Sequence, residues 1–364
     1  MTKEPNIARV ASLVVCLLTG MVSSLSAKPL FQEKPLYVAG LDEVKIYRIP
    51  SLLVTQQGTI LALCEAREGG DKSPTDLVLK RSDDLGRTWG PVEVVLKGKP
   101  GAIMNPTPVI DRRDGTIVLV CNYVYRGKGI DQIWMLRSTD NGKTWSEPSD
   151  ITDTVGKVHP GPGVSIQLKS GRLLVPGRST DNNGQSLIIF SDDRGKTWAA
   201  GQGAGPDTNE SQAVQLADGS VMLNMRSTRG KGCRAVAVSQ DGGQTWGALR
   251  DDTTLIEPIC QGSIVRYTLA DTNGRNRLLF ANPAQADRGN RTNMSVKLSY
   301  DEGKTWPVSK TVHAGPSAYC CLTVLSDGTV GLLYEGGPRG RYESILFARF
   351  NLEWLTDGND LTAH

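Results

Sequence analysis

An arginine held between aromatic and aliphatic neighbours, in Tyr47-Arg48-Ile49-Pro50, is the first residue of this chain whose type and setting point to chemistry. It stands just ahead of an apolar stretch that reads as a strand. A guanidinium carried into such surroundings is costly unless an anion meets it, so Arg48 implies an acidic partner or an anionic ligand. Other chemistries find no support. The three histidines, His159, His313 and His364, are far apart in sequence, and no two cysteines have zinc-type CxxC spacing. There is no phosphate loop and no Ser-His-Asp pattern with supporting context. No metal and no cofactor is therefore expected.

The elements that would position Arg48 announce themselves as a repeat. Five segments fit S-x-D-x-G-x-T-W, starting at Ser82, Ser138, Ser191, Ser239 and Ser299, with successive starts 56, 53, 48 and 60 residues apart. Asp and Gly favour a tight turn, the Asp by binding nearby backbone N–H groups and the Gly by accepting positive φ. Thr and Trp then re-enter a strand, where the Trp packs between sheets. Each box follows a strand-like stretch, such as Asp76 to Arg81 or Ile133 to Arg137, so a hairpin is the natural reading. A second turn-then-strand element recurs between boxes, as in Arg113-Asp114-Gly115-Thr116-Ile117 and Ser326-Asp327-Gly328-Thr329-Val330.

Two hairpins per repeat make about four strands, and four strands at a period near fifty residues is the arithmetic of a propeller blade. Dividing the chain after residue 27 by the mean box spacing gives about six units. The expected fold is all-β, a six-bladed β-propeller with four-stranded antiparallel blades. The sixth blade is expected over Tyr319 to Trp354, with an N-terminal strand closing the ring. No Pro-rich or Gly/Ser-rich linker divides residues 28–364, which read as one domain. The boxes themselves are scaffold and carry no function.

The Arg-Ile-Pro motif at Arg48 followed by five Asp boxes resembles the sialidase (neuraminidase) superfamily, of the bacterial exo-sialidase type with Asp-box (BNR) repeats, over nearly the whole of residues 28–364. The resemblance implies three arginines gripping a substrate carboxylate, and guanidinium forks suit bidentate carboxylate binding. Arg48 matches the first and Arg226, in Leu223-Asn224-Met225-Arg226-Ser227, the second. Arg291 is chosen as the third over Arg288, three residues away. The resemblance further implies a tyrosine nucleophile at Tyr319, in Ser317-Ala318-Tyr319-Cys320-Cys321, where Cys320 replaces a commoner serine. A neutral phenol avoids the repulsion that the substrate's own carboxylate would exert on an anionic nucleophile, provided a base takes its proton. Glu210 matches that base. The acid/base is an Asp on the loop before the first box; Asp71, in the Gly-rich loop, is preferred to Asp76, which abuts a strand. Arg67 resembles a further pocket arginine, and Glu335 a carboxylate that orients Arg48.

Composition fits this reading. The formal net charge of +3 lacks the basic excess of a nucleic-acid binder. Residues 1–27 read as a signal peptide: Lys3 and Arg9, an apolar run from Val10 to Val22, then Ser-Ser-Leu-Ser-Ala. The sequence around Cys16 lacks the small residues of a lipidation site. The expectation is thus a secreted or periplasmic monomer, with no membrane span in the mature chain, acting on sialylated glycans. Cys64, Cys121, Cys233, Cys260, Cys320 and Cys321 read as buried thiols. The rival readings are a glycosidase for a related keto-acid sugar, a transglycosylase, a non-catalytic carbohydrate-binding propeller, and a purely structural Asp-box propeller.

Overall fold

The computed structural model describes residues 1–2, 28–71, 73–180 and 184–362. Past residue 2, the leader expected over 1–27 lies outside the described residues, as does Cys16. Among the described residues no helix is long and apolar enough to cross a membrane.

The chain is all-β, and its sheets are antiparallel apart from one parallel bridge between Thr75 and Ala102. Ile46–Val54 pairs with Ile60–Arg67, then Thr75–Ser82, then the short Glu93–Leu96. The same up-and-down run recurs from Ala102–Ile110 to Ser149–Asp150. It recurs around Leu173–Ser179, and again from Thr208–Gln215 to Arg250–Ile256. A further run leads from Ser263–Thr268 into the first half of the long strand Val308–Val324. The second half of that strand pairs with Val330–Gly336, and this with Ser344–Phe350. The fourth strand of this last run comes from the other end of the chain: Phe31–Val38 lies antiparallel on Ser344–Phe350. The first strands of neighbouring runs pack together. Ile46–Val54 meets both Ala102–Ile110 and Val308–Val324, and Ser263–Thr268 meets both Thr208–Gln215 and Val308–Val324.

The Asp boxes lie where the third strand of a run turns into the fourth, and one pattern of bonds builds them all. In the first box the Ser82 hydroxyl donates to Asp84 at 2.8 Å and accepts from Gly86 N at 2.9 Å. Asp84 accepts from Thr88 N at 2.9 Å and from the Thr88 hydroxyl at 2.6 Å. The Thr–Asp bond recurs at Thr144, Thr197, Thr245 and Thr305. Sequence reasoning expected positive φ only at the glycine. The residue before it is also left-handed, with φ 62 at Leu85, 67 at Asn141, 70 at Arg194 and 64 at Glu302, a cost that the saturated bonding of the turn offsets.

The box tryptophans pack across to the preceding run. Trp89 meets Phe347 edge-on at 5.1 Å. Trp198 joins Val118 and Ile133 in a core cluster, and Trp306 joins Val214 and Met222. In the last run, which has no box, Trp354 on the short helix Leu352–Leu355 stacks on Phe31 at 4.5 Å. All six cysteines after residue 27 are buried and unbridged.

Candidate active site

The site lies at the end of the strands away from the boxes. There, four of the mutually packed first strands slip register: between Arg48 and Ser51, Met104 and Thr107, Thr208 and Ser211, and Ser317 and Cys320. A bulge re-aims the side chains beside it. Arg48, Asn105, Glu210 and Tyr319 all line one open cavity of about 580 Å³. The bulges cost backbone strain. Ile49 has φ 58, left-handed geometry that a β-branched residue rarely adopts, and Asn105 has φ 56. What holds Ile49 in place is Glu335, whose Oε1 accepts from Ile49 N at 2.7 Å.

Glu335 is wholly buried and ties two bulges together. Its Oε1 also accepts from Arg48 Nε at 2.7 Å, and its Oε2 from Tyr319 N at 3.2 Å. The Arg48 guanidinium is thereby fixed 3.9 Å from the Tyr342 ring centroid and 5.5 Å from that of Tyr319. The Arg291 guanidinium lies 5.7 Å from the same Tyr319 centroid, held by the Ile259 carbonyl at 3.0 Å. The Tyr319 hydroxyl donates to Glu210 Oε1 at 2.5 Å and receives Arg226 Nη1 at 3.1 Å. Arg226 Nη1 also binds Glu210 Oε2 at 2.6 Å. Three guanidinium groups from three separate strands or loops therefore converge on one phenol.

The electrostatics follow from burial and these pairs. Burial, then the Glu210 charge, raises the Tyr319 hydroxyl well above its ordinary value of 10.0, so the phenol keeps its proton at neutral pH. Burial pushes Glu210 up as well, but Arg226 and the Tyr319 hydroxyl outweigh it and hold the carboxyl below its ordinary value. The pair is thus a protonated phenol on an ionised carboxylate.

Asp71 reaches the cavity from its Gly-rich loop, and its side chain is 74% exposed. It pairs with Arg67 Nη1 and lies 3.5 Å from Arg48 Nη1. Burial raises its carboxyl, but Arg67, then Arg48 and Arg291, overcome this and hold it below the ordinary range. Arg67 is fixed in turn by the wholly buried Glu65, whose Oε2 accepts from Arg67 Nε at 2.7 Å and whose Oε1 accepts from Asn105 N at 2.8 Å.

Every residue singled out from the sequence is thus found at this cluster: Arg48, Arg67, Asp71, Glu210, Arg226, Arg291, Tyr319 and Glu335. Of the paired candidates, Arg288 is exposed while Arg291 flanks Tyr319, and Asp76 is spent on the backbone N–H of Gly98 at 2.8 Å. Sequence reasoning missed Glu65, although a lone acid two residues before Arg67 in an otherwise apolar strand was a usable signal. It also missed Tyr342 and the buried pair Arg234–Glu257 at 2.8 Å. Glu257 accepts from Ser227 N at 2.6 Å, next to Arg226, and Arg234 donates to Cys260 O at 2.7 Å, next to the Ile259 that holds Arg291. Nothing local in the sequence marks these. Among the described residues no cluster of acids, histidines and cysteines is suited to a metal ion.

Comparison with known proteins identifies the family. A family model described as BNR repeat-like domain matches residues 58–332. The chain is 37% identical over 361 residues to a sialidase of Micromonospora viridifaciens, covering 90% of this chain and 55% of that protein. It is 30% identical over 399 residues to an exo-alpha-sialidase of Aspergillus fumigatus, covering 92% and 93%. Among solved structures, a Hadza microbial sialidase superposes with a TM-score of 0.81 at 31% identity, covering 89% of this chain and 69% of that one. The chain spans 55% and 61% of the lengths of the Micromonospora and Bacteroides fragilis sialidases that it matches.

Proposed function

The chain belongs to the BNR-repeat sialidase family, and on that premise we propose that it is an exo-α-sialidase, hydrolysing terminal sialic acid from glycoproteins, glycolipids and oligosaccharides. The observation that carries this reading is Tyr319 donating to Glu210 at 2.5 Å while Arg48, Arg226 and Arg291 surround it. Three guanidiniums around one hollow suit a carboxylate-bearing sugar, and a phenol paired with an ionised carboxylate suits attack beside that carboxylate.

In this reaction Arg48, Arg226 and Arg291 seat the substrate carboxylate. That carboxylate neutralises part of the cationic field holding Asp71 down, so Asp71 takes up the proton its role requires. Asp71 gives the proton to the glycosidic oxygen as Tyr319 attacks the anomeric carbon and Glu210 receives the phenolic proton. Asp71 then takes a proton from water, which attacks the glycosyl-tyrosine, and Glu210 returns the proton to Tyr319. Two displacements retain configuration. Supporting the scaffold part of the reading, strand pairing sorts into runs of four whose first strands pack together. We take these as six blades about one axis, closed by Phe31–Val38 on Ser344–Phe350. Residues 28–364 then form a single catalytic domain behind an export leader over 1–27, acting as a monomer.

The test is turnover of an α-sialoside by the wild type and by Tyr319→Phe, with proton NMR of the first product. The expected result is release of the α-anomer first, and a loss of turnover on the order of 10³-fold or more in the variant with its thermal melt unchanged. Near-normal turnover by Tyr319→Phe, or initial release of the β-anomer, would overturn the assignment.

A further inference from the structure

We infer that the recess on the far side of Asp71 from Tyr319 is the aglycone seat, in which a pyranose ring lies against Tyr125 and an acidic substituent on it meets Arg126. The inference rests on the exo-sialidase reading. An acid that protonates the glycosidic oxygen stands at the boundary between terminal sugar and leaving group. What lies across Asp71 from the nucleophile therefore faces the leaving group.

The cavity holding Tyr319 has such a neighbour. A smaller recess of about 120 Å³ shares Asp71, Met104, Val124 and Arg126 with it, but none of Arg48, Glu210 or Tyr319. Two of its lining residues are glycines packed too closely against their neighbours to carry a side chain without a shift. A Cβ on Gly101 would stand 2.6 Å from the Val124 carbonyl and 2.8 Å from the Tyr123 ring, and one on Gly127 would stand 3.2 Å from the Tyr125 ring.

The recess is lined by the chemistry that recognises a charged sugar. Tyr125 ends the strand Ile117–Tyr125 half-buried, an aromatic body of the kind that packs against a pyranose. Arg126 opens the short turn Arg126–Lys128, which carries two basic residues and no acid in its first turn. Its carbonyl accepts from Gly129 N at 3.2 Å, but its side chain is exposed and the guanidinium has no hydrogen-bond or ion-pair partner among the described residues. An aromatic beside an uncompensated guanidinium favours an anionic sugar over a neutral one, and a second sialic acid carries such a carboxylate.

The experiment compares kcat/KM for methyl α-sialoside, α2,3-sialyllactose and an α2,8-linked disialoside, using the full chain and its Tyr125→Ala and Arg126→Ala variants. Tyr125→Ala is expected to lower the ratio of sialyllactose to methyl sialoside about tenfold, mainly through KM. Arg126→Ala, on an exposed turn, is expected to lower the ratio of disialoside to sialyllactose by about tenfold, and the wild-type preference for the disialoside should shrink with added salt. Equal losses on all three substrates, or ratios unchanged within about twofold of the wild type, would remove the recess from substrate binding. Wild-type hydrolysis of methyl α-sialoside reports on the exo-sialidase reading alone, so the two ideas fail separately.

Discussion

Asp84 and Glu335 are both carboxylates that hold a bent backbone in place, at opposite ends of the strands. Asp84 finds its partners within four residues, in Ser82 and Thr88. Glu335 reaches Arg48 across 287 positions and joins it to the backbone of Ile49 and Tyr319. Glu210 likewise meets Tyr319 across 109 positions. In the box turns the Ser–Asp–Thr bonding is closed, repeated in five near-copies. The site is an open system, in which Glu65, Glu210 and Glu335 are each satisfied only when two runs of strands have assembled. Local closure stabilises a turn, whereas non-local closure lets strained bulges persist where side chains must be aimed.

The sharpest way to break this comparison is to remove a non-local carboxylate. Glu335→Ala leaves a buried guanidinium and two backbone N–H groups without their acceptor. It should cost about 3–5 kcal/mol in urea unfolding and abolish turnover. A loss below about 1 kcal/mol would place Glu335 on a par with a surface acid.

Asp71 tests the opposite limit, an exposed carboxylate that we propose as the acid and that does not hold the fold. Asp71→Asn should reduce turnover of natural-type glycosides by about 10²–10⁴-fold. Its effect should be far smaller on substrates with acidic aryl leaving groups, and its unfolding midpoint should match the wild type. Equal losses for both leaving groups would deny it the role of acid.

The boxes should show the smallest effects. Asp84→Ala is expected to lower stability by about 1 kcal/mol with kcat/KM unchanged. The Thr88 and Thr144 hydrogen bonds draw Asp84 and Asp140 from an ordinary 3.8 down to about 2. A carboxyl depressed on folding contributes stability above its unfolded value and loses it as pH falls through the folded one. Unfolding free energy should therefore decline between about pH 4 and pH 2, less steeply in Asp84→Ala. A parallel decline in the variant would show that the box carboxylate takes no part in it.

The same contrast explains which features are legible in the amino-acid sequence. The box turns can be read from five residue types at fixed spacing, because the hydrogen bonds that the Ser, Asp and Thr side chains make in the turn lie inside the motif. The left-handed residue ahead of the glycine carries no such signal, since Leu85, Asn141 and Arg194 share no side-chain type. At the site, resemblance supplies the residues, and only the tertiary arrangement separates Arg291 from Arg288 and Asp71 from Asp76. Glu65, Tyr342 and the pair Arg234–Glu257 stay hidden in the sequence, because the groups they serve sit on other strands.

Sequence alone determined an all-β chain of repeated hairpins, since strand periodicity and turn chemistry act over a few residues and need no distant partner. Tertiary structure decided which arginines surround Tyr319, which bulges aim them and which buried acids hold them. Those bonds join groups up to 287 positions apart, and burial gives each guanidinium its preference for a specific anion.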